Sequence, residues 1–268
     1  MKICFKTWVT DDLKNKIQIE QLTNQLKYYH PDIPHLIYGN KEMEKNKEKY
    51  PWMWLGSMMP VSTMEYVDEY DLIIHIDGDS TIVGPLDELI EGDYDVASVR
   101  NNHFGNGCGM NKSITIENIP WDKFLNVGLN AIRTDKRGGR EFLNEWLNGC
   151  RNGSVNGGWD DENNELNRHF FKDKYDSKIL DDVGTGVSYG VNNIFGTRTN
   201  WDSWRDLYMK NGEVYQINPI GEEVKVKILH MAGGHHKYTV MGGKLMRDWL
   251  LGWVRPDVAE HIKKISNG

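Results

Sequence analysis

At 268 residues, 39% of them hydrophobic and 11% aromatic, the chain is long enough to bury the core of one sizeable domain or two small ones. A formal net charge of −7 argues against a nucleic-acid partner, because affinity for a polyanion comes mostly from Lys and Arg neutralising phosphates. Cys4, Cys108 and Cys150 are widely spaced and form no CxxC pair, which speaks against a disulfide framework or a zinc site and for buried free thiols.

Residues 2 to 9 (KICFKTWV) predict a first strand. Residues 13 to 29 carry Leu13, Ile17, Leu22, Leu26 and Tyr29 at near-helical spacing, and residues 35 to 40 (HLIYGN) predict a second strand. The lysine-rich stretch from Lys41 to Lys49 is expected to be a solvated connection, and Pro60 to Glu69 a helix. Next comes DLIIHIDGDSTIVGPLD, residues 71 to 87: an apolar run that ends on Asp77 and Asp79, with Gly78 between them. DYDVASV, 93 to 99, continues the sheet, and NNHFGNGCGMN, 101 to 111, predicts a Gly-rich loop, followed by the buried strand KFLNVGLNAIRT, 123 to 134. Phe142, Leu143, Trp146 and Leu147 share one helical face, and GGWDDENNELNRHFF opens a further helix with Asp160 and Asp161 near its N-terminus, where capping favours them. VKVKILHMAGGHHKY, 224 to 238, predicts one more strand and turn.

Strands alternating with helices predict an α/β fold with a mostly parallel, doubly wound sheet. No repeat or linker divides the chain, so one domain over residues 1–268 is expected. No stretch reaches the length of apolar residues that crosses a bilayer, and the N-terminus has no apolar signal region, so a cytoplasmic location is expected. Near the C-terminus, Leu245, Met246, Trp249, Leu250, Leu251, Trp253 and Val254 form an apolar patch that either packs on the domain or rests on a membrane surface beside Lys263 and Lys264.

The chemistry concentrates at Asp77 and Asp79. A buried strand that delivers two carboxylates to its C-terminal end suits Mg²⁺ or Mn²⁺ and, through the cation, a diphosphate that an acidic site alone would repel. DGDSTIV also fits the opening of haloacid-dehalogenase-like phosphatases, in which the first aspartate attacks phosphorus, and KILDDVG, 178 to 184, could serve as their later acidic pair. That phosphatase motif normally ends the first strand, whereas at least two strands precede it here.

Three downstream segments add to the DxD. IIHIDGDSTIVGPLDEL, KFLNVGLNAIRT and ILHMAGGHHK resemble, in that order, the DxD strand, the Phe-Asn-Ser-Gly strand and the late His-x-x-Gly-x-x-Lys element of glycogenin-like retaining glycosyltransferases of the GT-A fold. WDDENNELN resembles their Asp-Gln helix, and equally the Trp-His-Asp-Glu segment of the blood-group α-galactosyl and N-acetylgalactosaminyl transferases. The resemblance covers residues 1 to about 240 and implies a nucleotide-binding half over 1–100, a donor-sugar and acceptor half over 101–240, and a helical segment over 241–268.

It further implies that Asp77, Asp79 and His230 bind Mn²⁺, with Mg²⁺ as the alternative, and that Gly78, Gly233 and Lys237 lie at the diphosphate of a UDP-sugar donor. Asn126 would line the donor-sugar pocket or make a strand-end hydrogen bond. Thr7 and Trp8 would meet the nucleobase and ribose, with core packing an equal alternative for Trp8. Glu162 and Asp161 are the acids implied at the reacting carbon, and an ordinary helix cap explains Asp161 as well. Trp201 and Trp204 lie in a polar loop and are the acceptor-site candidates. The activity implied is transfer of a hexose, galactose or glucose, from a UDP-hexose to a saccharide or glycosylated-protein acceptor with retention of configuration. A non-catalytic sugar-nucleotide or glycan-binding protein is the alternative from another class.

Overall fold

The computed structural model describes residues 1–11, 19–54, 57–100, 125–153, 161–180, 187–188, 191–192, 205–217, 221–230 and 246–267. Their central feature is a six-stranded sheet. In chain order its strands are β1 (Ile3–Trp8), β2 (His35–Tyr38), β3 (Leu72–Ile76), β5 (Val96–Arg100), β6 (Leu125–Arg133) and β7 (Ser177–Ile179), and in space the order is β2-β1-β3-β6-β5-β7. β2, β1 and β3 pair in parallel, β6 runs antiparallel to both β3 and β5, and β7 is parallel to β5. Five of the six strands therefore share one direction, and the expected mixed α/β architecture with a mostly parallel sheet is what the chain adopts.

Helices cover both faces, which is why every residue of β3 is buried and all but His75 are apolar. Side chains alternate across the strand. Leu72, Ile74 and Ile76 enter the core formed with Phe5, with Leu22 and Leu26 of α1 (Ile19–Tyr29) and with Val258 and Ile262 of α8 (Pro256–Ser266). Ile73 and His75 face the other side. There Met59 of α3 (Met58–Met64), Phe142 and Trp146 of α5 (Arg137–Gly153), and Leu166 and Phe170 of α6 (Asp161–Phe170) form a second apolar cluster with Val96 and Ile132.

Three sequence expectations need correction. Residues 41 to 49 are not a connection but most of a helix, α2 (Asn40–Lys49). Only Asn46 of it is buried, so no apolar period announces it; Lys and Glu are good helix formers, and the Glu42 carboxylate accepts from the Gly39 N–H at 3.0 Å to cap the first turn. The segment from Val224 onward is two strands rather than one. β12 (Glu223–Val226) joins a four-stranded sheet of order β10-β11-β12-β8, formed with β8 (Val187–Ser188), β10 (Tyr208–Lys210) and β11 (Glu213–Ile217). β13 (Ile228–His230) instead lies between β4 (Ser80–Ile82) and β9 (Val191–Asn192). The helix expected over Pro60 to Glu69 begins at Met58 and ends at Met64. α4 (Asp87–Glu91) follows β4.

In the C-terminal region α7 (Met246–Leu251) places Leu250 in the main core, joined by Val254, while Leu251 and Trp253 pack against it. The Arg205 guanidinium lies 4.8 Å from the Trp253 ring centre. This part of the apolar patch therefore packs on the fold. Among the described residues, no helix is long and apolar enough to cross a membrane.

Candidate metal centre

The site begins where β3 runs out. Asp77 is the first residue beyond the strand; its N–H donates to the Gly128 carbonyl at 2.8 Å, and the Ser80 N–H donates back to the Asp77 carbonyl at 3.0 Å. That turn sends the chain directly into β4 and leaves the Asp77 and Asp79 carboxylates beside each other. β4 pairs antiparallel with β13 in a register that sets Ser80 opposite His230. The pairing carries His230 across 151 positions of sequence to its partners: its Nε2 lies 3.1 Å from Asp79 Oδ1 and 3.4 Å from Asp77 Oδ2. The ligand atoms of all three residues fall within 4.8 Å of one another. The imidazole is buried, whereas the side chains of Asp77 and Asp79 keep 30% and 13% of their surface, so the cluster opens to solvent on its carboxylate side.

The donor set fits a divalent cation. Two carboxylates and one imidazole are ligands Mn²⁺ accepts, with Mg²⁺ less suited to the nitrogen. The backbone leaves room for the cluster only because residue 128 is glycine. A Cβ there would stand 2.3 Å from His230 Cε1, 2.6 Å from Asn126 Oδ1 and 2.7 Å from Asp77 Oδ2. β6 makes this approach through an irregularity: Ser98 pairs with Asn130 and Val99 with Asn126, so residues 127 to 129 bulge. Ser98 Oγ bonds the Asn126 and Leu129 carbonyls, both at 3.1 Å, and the Asn130 amide donates to the Val127 carbonyl at 2.8 Å.

Electrostatics hold the cluster together without a cation. Burial alone would lower the pKa of His230, but the charge of Asp79 and hydrogen bonds to Asp77 and Asp79 outweigh it and push the imidazole up to about 10. Burial likewise acts to raise Asp77, and hydrogen bonds from His230 and His75 overcome it, holding the carboxyl well below the usual carboxylate range. His230 therefore carries, at neutral pH, the proton that a cation would have to displace. Mn²⁺ affinity is expected to rise about tenfold per pH unit between about pH 6 and 9, with about one proton released per ion. Calorimetric titrations in buffers of different ionisation enthalpy measure both quantities, and a pH-independent affinity without proton release contradicts this arrangement.

Behind the cluster lies a polar layer that sequence reasoning missed. Lys6, His75, Asn130 and Ser98 are in register across β1, β3, β6 and β5, and all four are buried. The Lys6 ammonium donates to Ser62 Oγ (2.5 Å), Thr63 Oγ1 (2.8 Å) and the Met59 carbonyl (3.2 Å), and burial pulls its pKa down to about 7. His75 Nε2 meets Asp77 Oδ1 at 3.0 Å; burial first and the Lys6 charge second lower its pKa to about 4, so the ring is neutral. The available signal was period two: residues 75, 77 and 79 alternate with the apolar positions of the run.

Glu162 stands at the edge of this layer. It lies in the first turn of α6, buried, and its Oε2 accepts the Met59 N–H at 3.2 Å while its carbonyl accepts the Trp146 indole N–H at 2.9 Å. Burial, then the nearby charge of Asp77, push its pKa up to about 8 against the Met59 N–H and Lys6. Asp161 opens the same helix; its side chain lies outside the described residues.

The other expected site residues are distributed as follows. Gly78 sits buried within the Asp77–Ser80 turn. Asn126 is buried, and its Oδ1 accepts the Gly128 N–H at 2.6 Å. The Thr7 side chain is inside the sheet, its hydroxyl donating to the Ile76 carbonyl at 2.7 Å and bonded to His35 at 2.9 Å. Trp8 is half-buried and packs against the second core cluster. Gly233, Gly234, Lys237, Trp201, Trp204 and the loop 101–111 lie outside the described residues. A surface hollow lined by Glu145, Asn148, Glu165, Arg168 and His169 shares no residue with the cluster. Its Glu145 carboxylate is already bonded by Lys172 (2.9 Å), His169 (3.0 Å) and Lys174.

No protein-family model matches the sequence, and a search of the curated proteins finds no match. Among solved structures, the galactosyltransferase LgtC, in complex with donor and acceptor sugar analogues, aligns over 100% of this chain and 95% of its own at 12% identity and a TM-score of 0.49. The apo bifunctional glycosyltransferase WbbM aligns over 71% of this chain at 11% identity and 0.43. The apo-form glycosyltransferase GlyE of Streptococcus pneumoniae TIGR4 aligns over 66% at 15% and 0.38. This chain spans 40% of the WbbM chain and 45% of the GlyE chain.

Proposed function

We propose that the chain is a Mn²⁺-dependent glycosyltransferase, a single GT-A domain that moves a hexose, galactose or glucose, from a UDP-sugar to a saccharide or glycosylated-protein acceptor with retention of configuration. The observation that carries this reading is the convergence of Asp77, Asp79 and His230 from two distant strands at the C-terminal end of β3. A divalent cation held by these three residues would neutralise the diphosphate and stabilise it as it leaves. The protein's own part is to keep the three ligands together and partly open to solvent. Gly78, Gly233 and Lys237 are assigned to the diphosphate, Trp8 to the nucleoside end with the buried Thr7 behind it inside the sheet, and Asn126 to the donor-sugar side through the turn it holds at Gly128. Mg²⁺ is the second choice of metal.

Glu162 is assigned to the reacting carbon, with Asp161 as the neighbouring acid. A buried carboxyl that keeps its proton near neutral pH is a hydrogen-bond donor or general acid before it is a nucleophile. This favours transfer without an ester to the enzyme. Asp77 is poorly placed to attack phosphorus as a phosphatase nucleophile, since both its oxygens are engaged, Oδ1 by His75 and Oδ2 by His230. A cytoplasmic location belongs to the same proposal.

The direct test is thermal unfolding of the chain with UDP-sugars in the presence and absence of Mn²⁺, paired with an assay of UDP release. A UDP-hexose at 100 times its dissociation constant should stabilise the fold by about 2.7 kcal/mol, with Mn²⁺ required. Glu162→Gln should keep that shift and lose most UDP release. Failure of every UDP-sugar to bind or turn over rejects the function; full release by the Gln variant rejects only the role of Glu162.

A further inference from the structure

Resting on the metal reading of Asp77, Asp79 and His230, we infer that His75 is a positioning residue for the metal centre: its Nε2–H holds Asp77 Oδ1 and so turns Oδ2 toward His230 and the cation. The carboxylate of Asp77 has two oxygens with separate duties, one 3.0 Å from His75 Nε2 and one 3.4 Å from His230 Nε2. A carboxylate can only accept here, so the proton of the bond belongs to His75 Nε2. The imidazole reaches Asp77 from inside the sheet, on the face opposite Ile74 and Ile76. It is wholly buried in register between Lys6 and Asn130, so neighbouring strands fix its orientation.

The other ring nitrogen shows that packing alone does not account for a histidine at this position. Nδ1 of His75 is buried and has no hydrogen-bond partner among the described residues. An unmet buried acceptor is unfavourable, and an apolar side chain in this strand would avoid it. What the histidine contributes in return is the bond to Asp77. Ligating carboxylates are commonly held by such outer partners, whose loss weakens metal binding about 10- to 100-fold.

The experiment measures Mn²⁺ affinity, by calorimetry or by the electron paramagnetic resonance signal of free Mn²⁺, for the unaltered chain, His75→Phe and His75→Gln. A glutamine amide nitrogen can stand where Nε2 stands, so the Gln variant keeps a donor. The Phe variant should bind Mn²⁺ about 10- to 100-fold more weakly, and the Gln variant should recover most of that loss. A second measurement needs no substitution: the imidazole ¹⁵N spectrum of the unaltered chain should show the His75 proton on Nε2. Phe-variant affinity equal to that of the unaltered chain, a Gln variant no better than Phe, or a proton on Nδ1 overturns the positioning role while leaving the metal reading intact. An unaltered chain that binds no Mn²⁺ overturns the metal reading and the role of His75 with it.

Discussion

Asp79→Ala is expected to abolish Mn²⁺-dependent UDP release, by about a thousandfold or more, while the chain remains folded. The factor corresponds to about 4 kcal/mol of lost leaving-group stabilisation, within what a bound cation supplies. Asp79 sits in the tight connection between β3 and β4 rather than in either strand, and its carboxylate lies 3.1 Å from His230 Nε2. Its removal takes away one ligand and one of the two charges that keep His230 protonated. The fold rests elsewhere, on the apolar clusters either side of the sheet. The pair with His230 is mostly buried, but Asp77 remains as its partner, so the loss should cost about 1–3 kcal/mol, at about 2–4 °C in Tm per kcal/mol for a chain of this size. UDP release with and without Mn²⁺, together with far-ultraviolet circular dichroism, checks both halves. Activity that survives in a folded variant removes Asp79 from the metal set.

Gly128→Ala should disable the same centre by a different route. A methyl group at this position would have to occupy space already held by the His230 ring, the Asn126 amide and the Asp77 carboxylate, at 2.3, 2.6 and 2.7 Å. Its neighbours cannot withdraw freely, because the backbone here is the bulge of β6, pinned by Asn126 Oδ1 to the Gly128 N–H and by the Gly128 carbonyl to the Asp77 N–H. Either the ligands separate or the bulge shifts. The expected outcome is at least a roughly tenfold loss of Mn²⁺ affinity with about 1–3 kcal/mol of stability, the usual cost of overpacking. Calorimetry and chemical denaturation measure the two. Unchanged Mn²⁺ affinity in the alanine variant refutes the close packing of Gly128 beneath the ligands.

The two substitutions probe parts of the site that differ in how far the amino-acid order reveals them. Asp77 and Asp79 stand out because solvation ends the apolar run abruptly, and a strand buried by helices on both faces has to be apolar until it emerges. The long buried strand around Asn126 and the helix bearing Trp146 are visible for the same reason. Where no apolar period exists the signal fails: α2 is a helix of Lys, Glu and Asn with the single apolar Met43, mostly exposed, where the sequence predicts a connection. The break of the 224–238 segment at Lys227 was invisible because Val224, Val226 and Ile228 carry one apolar alternation across it, and only the different partner strands separate the halves.

The amino-acid order determined the strand, its two terminal carboxylates and the alternation of helices that covers the sheet, since these follow from local burial and solvation. The family resemblance already names His230 as their partner; tertiary structure alone decided the pairing that carries it there, how closely Gly128 approaches them, and that His75 holds one oxygen of Asp77 from behind. Those facts depend on strand pairing: β13 against β4 brings His230 beside Asp79 across 151 positions, and β6 against β3 brings Gly128 against Asp77. Register between distant strands is set by backbone hydrogen bonds and by the packing of both faces at once, which no local stretch of sequence contains.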